Sequence, residues 1–225
     1  MYIPKKYQEE EWDQVEYLIK HYPLATIITT DGGAIIANHI PLYLKVDPSS
    51  GERKLIAHIA KSNHQIPSLT SNDNVLVIFQ SANSYITPNY YPTKQETHKV
   101  VPTWDFASVH IHGSSRIIDD FEFVRDQLNH LTNQEEGKKD AGVDKWRVDE
   151  APENYLKVMQ KAITGLEIEI GSFECKYKFE QGARKQDVSG VISGLKGDGK
   201  EEMSKLTIDA NARADERKAK VREVE

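Results

Sequence analysis

Four stretches of the sequence combine residue types that bind polar or aromatic ligands. The first covers residues 55–65, where an apolar segment ends in Lys61-Ser62-Asn63. A strand end frees backbone N–H groups, and a lysine, a hydroxyl and an amide complete the donor set that a phosphate needs. The same pattern fits an ordinary polar loop after a strand, so it indicates a phosphate site without establishing one.

The second stretch places two polar side chains, Asn38 and His39, among the apolar residues of a predicted strand. Polar groups on a buried strand need hydrogen-bond partners. Neighbouring backbone could supply them, and so could the edge of a flat heterocycle that carries ring nitrogens and carbonyls. Both interpretations stay open at this point.

The third stretch is rich in aromatic residues and proline. It covers residues 85–94, with three tyrosines, and residues 101–104, which end in Thr103-Trp104. A stiff aromatic loop of this kind suits the wall of an aromatic ligand site or a subunit interface.

The fourth stretch contains two histidines, His110 and His112, which alternate on a predicted strand and therefore point to one face. A His-x-His pair can bind a metal, but no third ligand has suitable spacing, so we expect no metal site. A ligand contact and a simple exposed position remain alternatives.

The elements that must position these residues are mainly β-strands. A helix is predicted over residues 9–21, and further helices after Asp120 and after Pro152, with Tyr155, Met159 and Ile163 facing inward. The predicted strands cover residues 24–30, 34–46, 54–60, 74–81, 107–118 and 164–178, and Asp31-Gly32-Gly33 predicts a hairpin turn between the first two. Short strands separated by turn residues favour an antiparallel barrel or sandwich, here in the α+β class with peripheral helices.

Composition limits the classes of function. The 225-residue chain has a formal net charge of -6 and one cysteine, Cys175, so it cannot form an internal disulfide. A DNA-binding protein normally needs a basic face, which this balance disfavours. No apolar leader or run of about 20 apolar residues appears, and we expect a cytoplasmic protein with no membrane partner. One domain is predicted over residues 1–195, followed by a charged tail, helical or disordered, over residues 196–225.

Taken together and in order, the motifs closely resemble the PaiB family of FMN-binding negative transcriptional regulators. The resemblance covers about residues 1–195. The motifs that carry it are Met1-Tyr2-Ile3-Pro4, Ala37-Asn38-His39-Ile40-Pro41-Leu42, His58-Ile59-Ala60-Lys61-Ser62-Asn63, Tyr85-Ile86-Thr87-Pro88, Tyr91-Pro92-Thr93-Lys94, Val101-Pro102-Thr103-Trp104, Val109-His110-Ile111-His112-Gly113 and Lys161-Ala162-Ile163-Thr164-Gly165-Leu166-Glu167-Ile168. One segment departs from the family pattern: Phe179-Glu180-Gln181-Gly182 stands where the family has a Ser-Gln-Asn-like sequence.

The resemblance implies an antiparallel split β-barrel like that of pyridoxamine phosphate oxidases, which binds FMN between the two subunits of a homodimer. It places the flavin phosphate near the loop that follows the third strand and the ring along the strand of Asn38. The residues implied to contact FMN are Asn38, His39, His58, Ile59, Ala60, Lys61, Ser62, Asn63, Thr103, Trp104 and His110.

Three functions are compatible with these features. The first is a flavoprotein oxidoreductase that acts on a small molecule through FMN. The second is a transcriptional regulator that acts on DNA directly or through a partner, as the family name suggests. The third is a haem-binding or haem-handling split barrel, because histidines accompany the predicted cleft. No residue is assigned a catalytic role.

Overall fold

A computed structural model describes the backbone of residues 1–224 and the side chains of residues 1–220. Within these residues the strands are Gln8–Glu9 (β1), Leu24–Asp31 (β2), Ala34–Pro41 (β3), Tyr43–Val46 (β4), Arg53–Ala60 (β5), Asn72–Ile86 (β6), Thr103–Ile118 (β7) and Ile163–Lys178 (β8). The α-helices are Trp12–His21 (α1), Ile66–Leu69 (α2), Thr93–Thr97 (α3), Phe121–Gly137 (α4), Glu153–Gln160 (α5), Lys185–Gly197 (α6) and Glu201–Val224 (α7). Among the described residues, no helix is both long and apolar enough to cross a bilayer.

The strands form an antiparallel sheet in the order β3-β2-β6-β7-β8-β5-β4, and β1 pairs with β8. The predicted α+β class with an antiparallel sheet and peripheral helices is confirmed. The chain divides into two compact units. The central unit comprises Trp12–Phe79 and Val109–Glu174, and the terminal unit comprises Met1–Glu11, Gln80–Ser108 and Cys175–Glu225.

The central unit begins with a helix and a tight hairpin. Val15, Leu18 and Ile19 form the buried face of α1. The β2–β3 hairpin turns at Gly32-Gly33, both of which have positive φ, as the sequence predicts. The predicted strand over residues 34–46 is broken at Leu42. Its N–H donates to the carbonyl of Pro23, 2.9 Å away, and separates β3 from β4.

Helix α5 presents a different face from the one predicted. Tyr155 and Met159 are 57% and 50% exposed, so the expectation that they face inward is wrong. Leu156 and Gln160 are buried instead. The Gln160 amide accepts hydrogen bonds from the Arg125 guanidinium at 3.1 and 3.3 Å, and this polar contact sets the helix face that turns inward.

In the terminal unit, the C-terminal helix α7 buries an apolar side. Met203, Leu206 and Ala210 are almost fully inaccessible to solvent. The fully buried carboxylate of Glu9 in β1 accepts a hydrogen bond from the Arg217 guanidinium at 2.8 Å and lies 3.3 Å from Arg213 Nε. A buried carboxylate needs such partners, so these ion pairs tie α7 to the N-terminal strand.

Helix α6 packs closely against the aromatic loop of the terminal unit. Gly190 and Gly194 lie one turn apart on the helix. A β-carbon at Gly190 would overlap the carbonyl and ring of Tyr90-Pro92, and one at Gly194 would overlap the Tyr90 ring. The two glycines therefore permit a contact that no larger residue allows.

A buried polar cluster at the start of β7 holds the Thr103-Trp104 segment. Lys178 Nζ donates to Thr103 Oγ1 and to the Trp104 carbonyl, each at 2.5 Å, and lies 3.4 Å from Asp105 Oδ1. The Asp105 carboxyl is fully buried, and its Oδ2 has no hydrogen-bond partner among the described residues. Burial, with a further contribution from Glu180, raises the pKa of Asp105 to about 7, although Lys178 opposes the shift.

We expect Gly194→Ala to lower the free energy of unfolding by about 1–3 kcal/mol, because the added methyl group forces Tyr90 or the helix to move. Gly197→Ala is the matched control in the same helix, since no atom lies within 4 Å of the position of its β-carbon. Urea denaturation of the three proteins measures the difference. Equal stability of Gly194→Ala and Gly197→Ala would contradict the packing described.

Asp105→Asn is expected to change how stability depends on pH. Between its unfolded pKa of about 3.9 and its folded pKa of about 7, Asp105 ionises first in the unfolded chain, so rising pH destabilises the folded state. From pH 5 to pH 8 the wild type should lose about 2–3 kcal/mol relative to Asp105→Asn. Urea denaturation at several pH values tests this, with the exposed Asp73→Asn as control. Parallel curves for wild type and Asp105→Asn would refute it.

Candidate functional site

One fully buried side chain, Gln65, joins the first two predicted stretches in the central unit. Its Nε2 donates to the carbonyls of Ile27 and Ile36 and to Thr29 Oγ1, at 3.0–3.3 Å. Its Oε1 accepts from Asn38 Nδ2 at 2.9 Å. Gln65 thus connects β2, β3 and the turn after β5 through one amide.

The turn after β5 brings Asn63 beside Asn38. The Asn63 N–H donates to the carbonyl of Ala60, which closes the turn, and Asn63 Oδ1 accepts from the backbone N–H of Gln65 at 2.9 Å. Asn38 Nδ2 lies 3.5 Å from the same oxygen. Both asparagines are half-buried, so a ligand can reach them while Gln65 holds them.

Lys61 supplies the positive charge of this turn. Its N–H donates to the carbonyl of Ala162 at 2.9 Å, and its Nζ lies 2.6 Å from Asp119 Oδ1. Both side chains are well exposed, as is that of Ser62. A solvent-exposed pair of this kind is weak, so an anion can compete with Asp119 for the lysine.

The strand that leads into the turn separates its residues by face. Ile59 is buried in the core, so its side chain is not available to a ligand, whereas Ala60 is exposed. His58 is half-buried, and its Nδ1 lies 2.6 Å from Oε1 of Gln127 on α4. This contact holds the imidazole against α4. The Gln127 Nε2 group is buried with no hydrogen-bond partner among the described residues.

The two remaining histidines of the prediction lie elsewhere in the central unit. His39 follows Asn38 on β3, so its side chain points to the opposite face, and it is exposed. His110 on β7 is half-buried, and burial lowers its pKa below the ordinary range. The burial of His110 thus favours its neutral imidazole form.

Thr103 and Trp104 belong to the terminal unit. The Trp104 indole N–H donates to Asn83 Oδ1 at 2.9 Å, and its ring meets the edge of Tyr85 at 6.1 Å between centroids. About half of the Trp104 side chain is exposed. Because Lys178 also donates to the Trp104 carbonyl, both the backbone and the indole of Trp104 are held by hydrogen bonds.

Sequence reasoning did not assign roles to Gln65, Asp119 as a partner of Lys61, or Gln127. Gln65 is the last residue of the predicted phosphate stretch and directly precedes Ile66-Pro67. No sequence pattern indicates that its side chain is buried. Gln127 does leave a signal, because it is a polar residue within the apolar stripe that includes Val124.

The donor set fits a phosphorylated flavin. A phosphate needs a cation and N–H or O–H donors, which Lys61, Ser62 and the turn supply. A flavin ring needs amide-like partners along its polar edge, which Asn38 and Asn63 supply. The structure places these two groups side by side in one unit.

Comparisons with known proteins agree with this chemistry. Residues 1–172 match the family described as "Putative FMN-binding domain". Protein YKL070W of Saccharomyces cerevisiae is 39% identical over 161 residues, which cover 63% of this chain and 94% of that protein. Protease synthase and sporulation protein PAI 2 of Bacillus subtilis is 27% identical over 195 residues, covering 87% of this chain and 89% of that protein.

A solved structure shows the same fold. The FAD and haem binding protein from Mycobacterium smegmatis superposes with a TM-score of 0.54 at 17% identity, covering 81% of this chain and 78% of that one. The family match includes every residue of the Asn38, Lys61 and Trp104 motifs. The chain therefore belongs to the PaiB-type family of FMN-binding split-barrel domains, and FMN is its cofactor.

Proposed function

We propose that the protein holds FMN with the phosphate at Lys61 and Ser62 and the polar edge of the ring at Asn38 and Asn63, and that it oxidises or reduces a small molecule. The observation that carries this proposal is the hydrogen-bonded link between Asn38 and Asn63 through Gln65. The bound flavin supplies the electron transfer, and the protein supplies binding and orientation.

The charge of the turn supports the phosphate end of the proposal. Lys61 is paired with the exposed Asp119 in the structure, and a phosphate carries more negative charge than one carboxylate. The lysine can therefore exchange its partner when FMN binds. The Asp119 carboxylate then remains close by and opposes the ligand.

His110, which lies in the central unit with Asn38, supports the ring end of the proposal. A neutral imidazole donates or accepts a hydrogen bond without adding charge, and the burial of His110 favours that form. Thr103 and Trp104 lie in the terminal unit, and their contact with the flavin stays a prediction from the family resemblance. His39 is exposed on β3 and joins the site only if the ligand or a partner reaches that face.

A homodimer is the second part of the proposal. Strand β3 lies at one end of the strand order and pairs only with β2 among the described strands. Its Ile35 is 76% exposed, so a large apolar side chain lies open on an edge strand. A second copy that covers this edge would bury Ile35 on the face of β3 that carries His39.

Use as a transcriptional regulator receives less support from the chain. The formal net charge of -6 disfavours direct contact with DNA phosphates. A haem-handling function would require an axial ligand, for which the exposed His39 is a candidate. Neither alternative explains the Lys61 turn, whereas FMN does.

Lys61→Ala is expected to weaken FMN binding about tenfold through loss of the charge-assisted contact, and to leave riboflavin binding unchanged because riboflavin lacks the phosphate. Asp119→Asn should have the opposite effect and strengthen FMN binding. Quenching of flavin fluorescence measures both affinities, and the exposed Lys45→Ala serves as control. If Lys61→Ala weakened FMN and riboflavin equally, the phosphate would not lie at this turn.

We also expect sedimentation equilibrium at micromolar concentration to give twice the mass of the 25.6 kDa chain. Ile35→Glu should shift the equilibrium towards single chains, because it places a charge on the apolar edge of β3. Val46→Glu, at an exposed position on β4, is the control. A single-chain mass for the wild type would contradict the homodimer.

A further inference from the structure

The amide of Gln65 can adopt only one orientation. Its nitrogen lies 3.2 Å from the Ile27 carbonyl and 3.3 Å from the Ile36 carbonyl, and a carbonyl oxygen accepts but never donates. A flipped amide would place an oxygen against both carbonyls in a fully buried position. The cost of unsatisfied buried groups excludes that arrangement.

This orientation fixes the neighbouring amide of Asn38. Because Gln65 directs its oxygen at Asn38, the atom 2.9 Å away must be the Asn38 nitrogen, which donates. The Asn38 Oδ1 atom is left without a hydrogen-bond partner among the described residues. Asn38 therefore presents an acceptor to a ligand.

The amide of Asn63 is fixed in the opposite sense. The backbone N–H of Gln65 donates to the Asn63 side chain at 2.9 Å, so the accepting atom is Oδ1. Its Nδ2 has no hydrogen-bond partner among the described residues. Asn63 therefore presents a donor on a side chain whose Oδ1 lies 3.5 Å from Asn38 Nδ2.

We propose that Asn38 and Asn63 form a reading pair for a ring edge on which an N–H group adjoins a carbonyl. This inference rests on the proposed FMN site, and it assigns the pyrimidine edge of the isoalloxazine to the pair. Asn38 Oδ1 accepts from the imide N–H, and Asn63 Nδ2 donates to the adjacent carbonyl. Gln65 is a positioning residue, because it is fully buried and acts only through the two asparagines.

A selectivity follows from the fixed orientations. An unconstrained asparagine could rotate its amide and accommodate a donor or an acceptor equally well. Here the backbone of β2 and β3 prevents that rotation through Gln65. The site should therefore discriminate against a flavin whose imide nitrogen carries a methyl group in place of hydrogen.

The test compares the dissociation constants of FMN and of FMN methylated at the imide nitrogen. We expect the wild type to prefer FMN by about tenfold or more, since one hydrogen bond is lost and the acceptor of Asn38 is left unpaired. Asn38→Ala should bind FMN more weakly, and the ratio of the two dissociation constants should fall towards one. Asn63→Ala should weaken the binding of both ligands and leave the preference for FMN over the methylated FMN unchanged. Asn74→Ala, at an exposed position on β6, should leave both constants unchanged.

The outcomes separate this inference from the proposed function. If the wild type binds FMN and the methylated FMN equally, the reading pair is overturned while FMN binding stands. If Asn38→Ala folds, binds FMN and keeps the full preference, the assignment to Asn38 is overturned. If the wild type binds no FMN, the proposed function fails and the inference fails with it.

Discussion

The candidate site depends on one requirement: the buried amide of Gln65 must have its hydrogen bonds satisfied. A polar group with no access to water costs free energy unless it is paired, and every partner of Gln65 lies on an element that forms the site. Satisfying that amide brings together the β2–β3 hairpin and the turn after β5. It also determines which atom Asn38 leaves available to a ligand, and the backbone N–H of Gln65 does the same for Asn63.

The charged contacts of the site are weak, and this suits a cofactor that binds reversibly. Lys61 is exposed and paired with one carboxylate. It can therefore exchange this carboxylate for a phosphate without leaving a buried ion unpaired. Buried charges also lie in the terminal unit. There, Lys178 donates to the Trp104 carbonyl and lies 3.4 Å from the buried Asp105, and two arginines of α7 pair with the buried Glu9.

Much of the fold could be predicted from the sequence because its signals are local. The Gly32-Gly33 turn and the Asp120 cap, whose carboxylate accepts from the Phe123 N–H at 2.7 Å, occur where the pattern places them. Helix α5 was predicted with the wrong face because Tyr155 and Met159 were expected inside. The structure buries Leu156 and Gln160 instead, and the Arg125 partner of Gln160 lies 35 residues away in the sequence.

The site was harder to predict than the fold. Lys61 and Asn63 follow from their residue types, but Gln65 acts through the carbonyls of Ile27 and Ile36, which are distant in sequence and leave no pattern. Its partnership with Asn38 depends on the register of the β2–β3 hairpin. The resemblance to a flavin-binding family indicates the cofactor. The tertiary contact with Gln65 fixes the amide orientation of Asn38, whereas a local hydrogen bond from the Gln65 N–H fixes that of Asn63.

The visible absorption spectrum of the protein after incubation with FMN and removal of free ligand tests the central claim most directly. A protein that holds FMN at the Lys61 turn and the asparagine pair retains the spectrum of oxidised flavin, at about one flavin per chain, perturbed from that of free FMN. A colourless protein, under conditions in which circular dichroism shows it to be folded, would contradict the account.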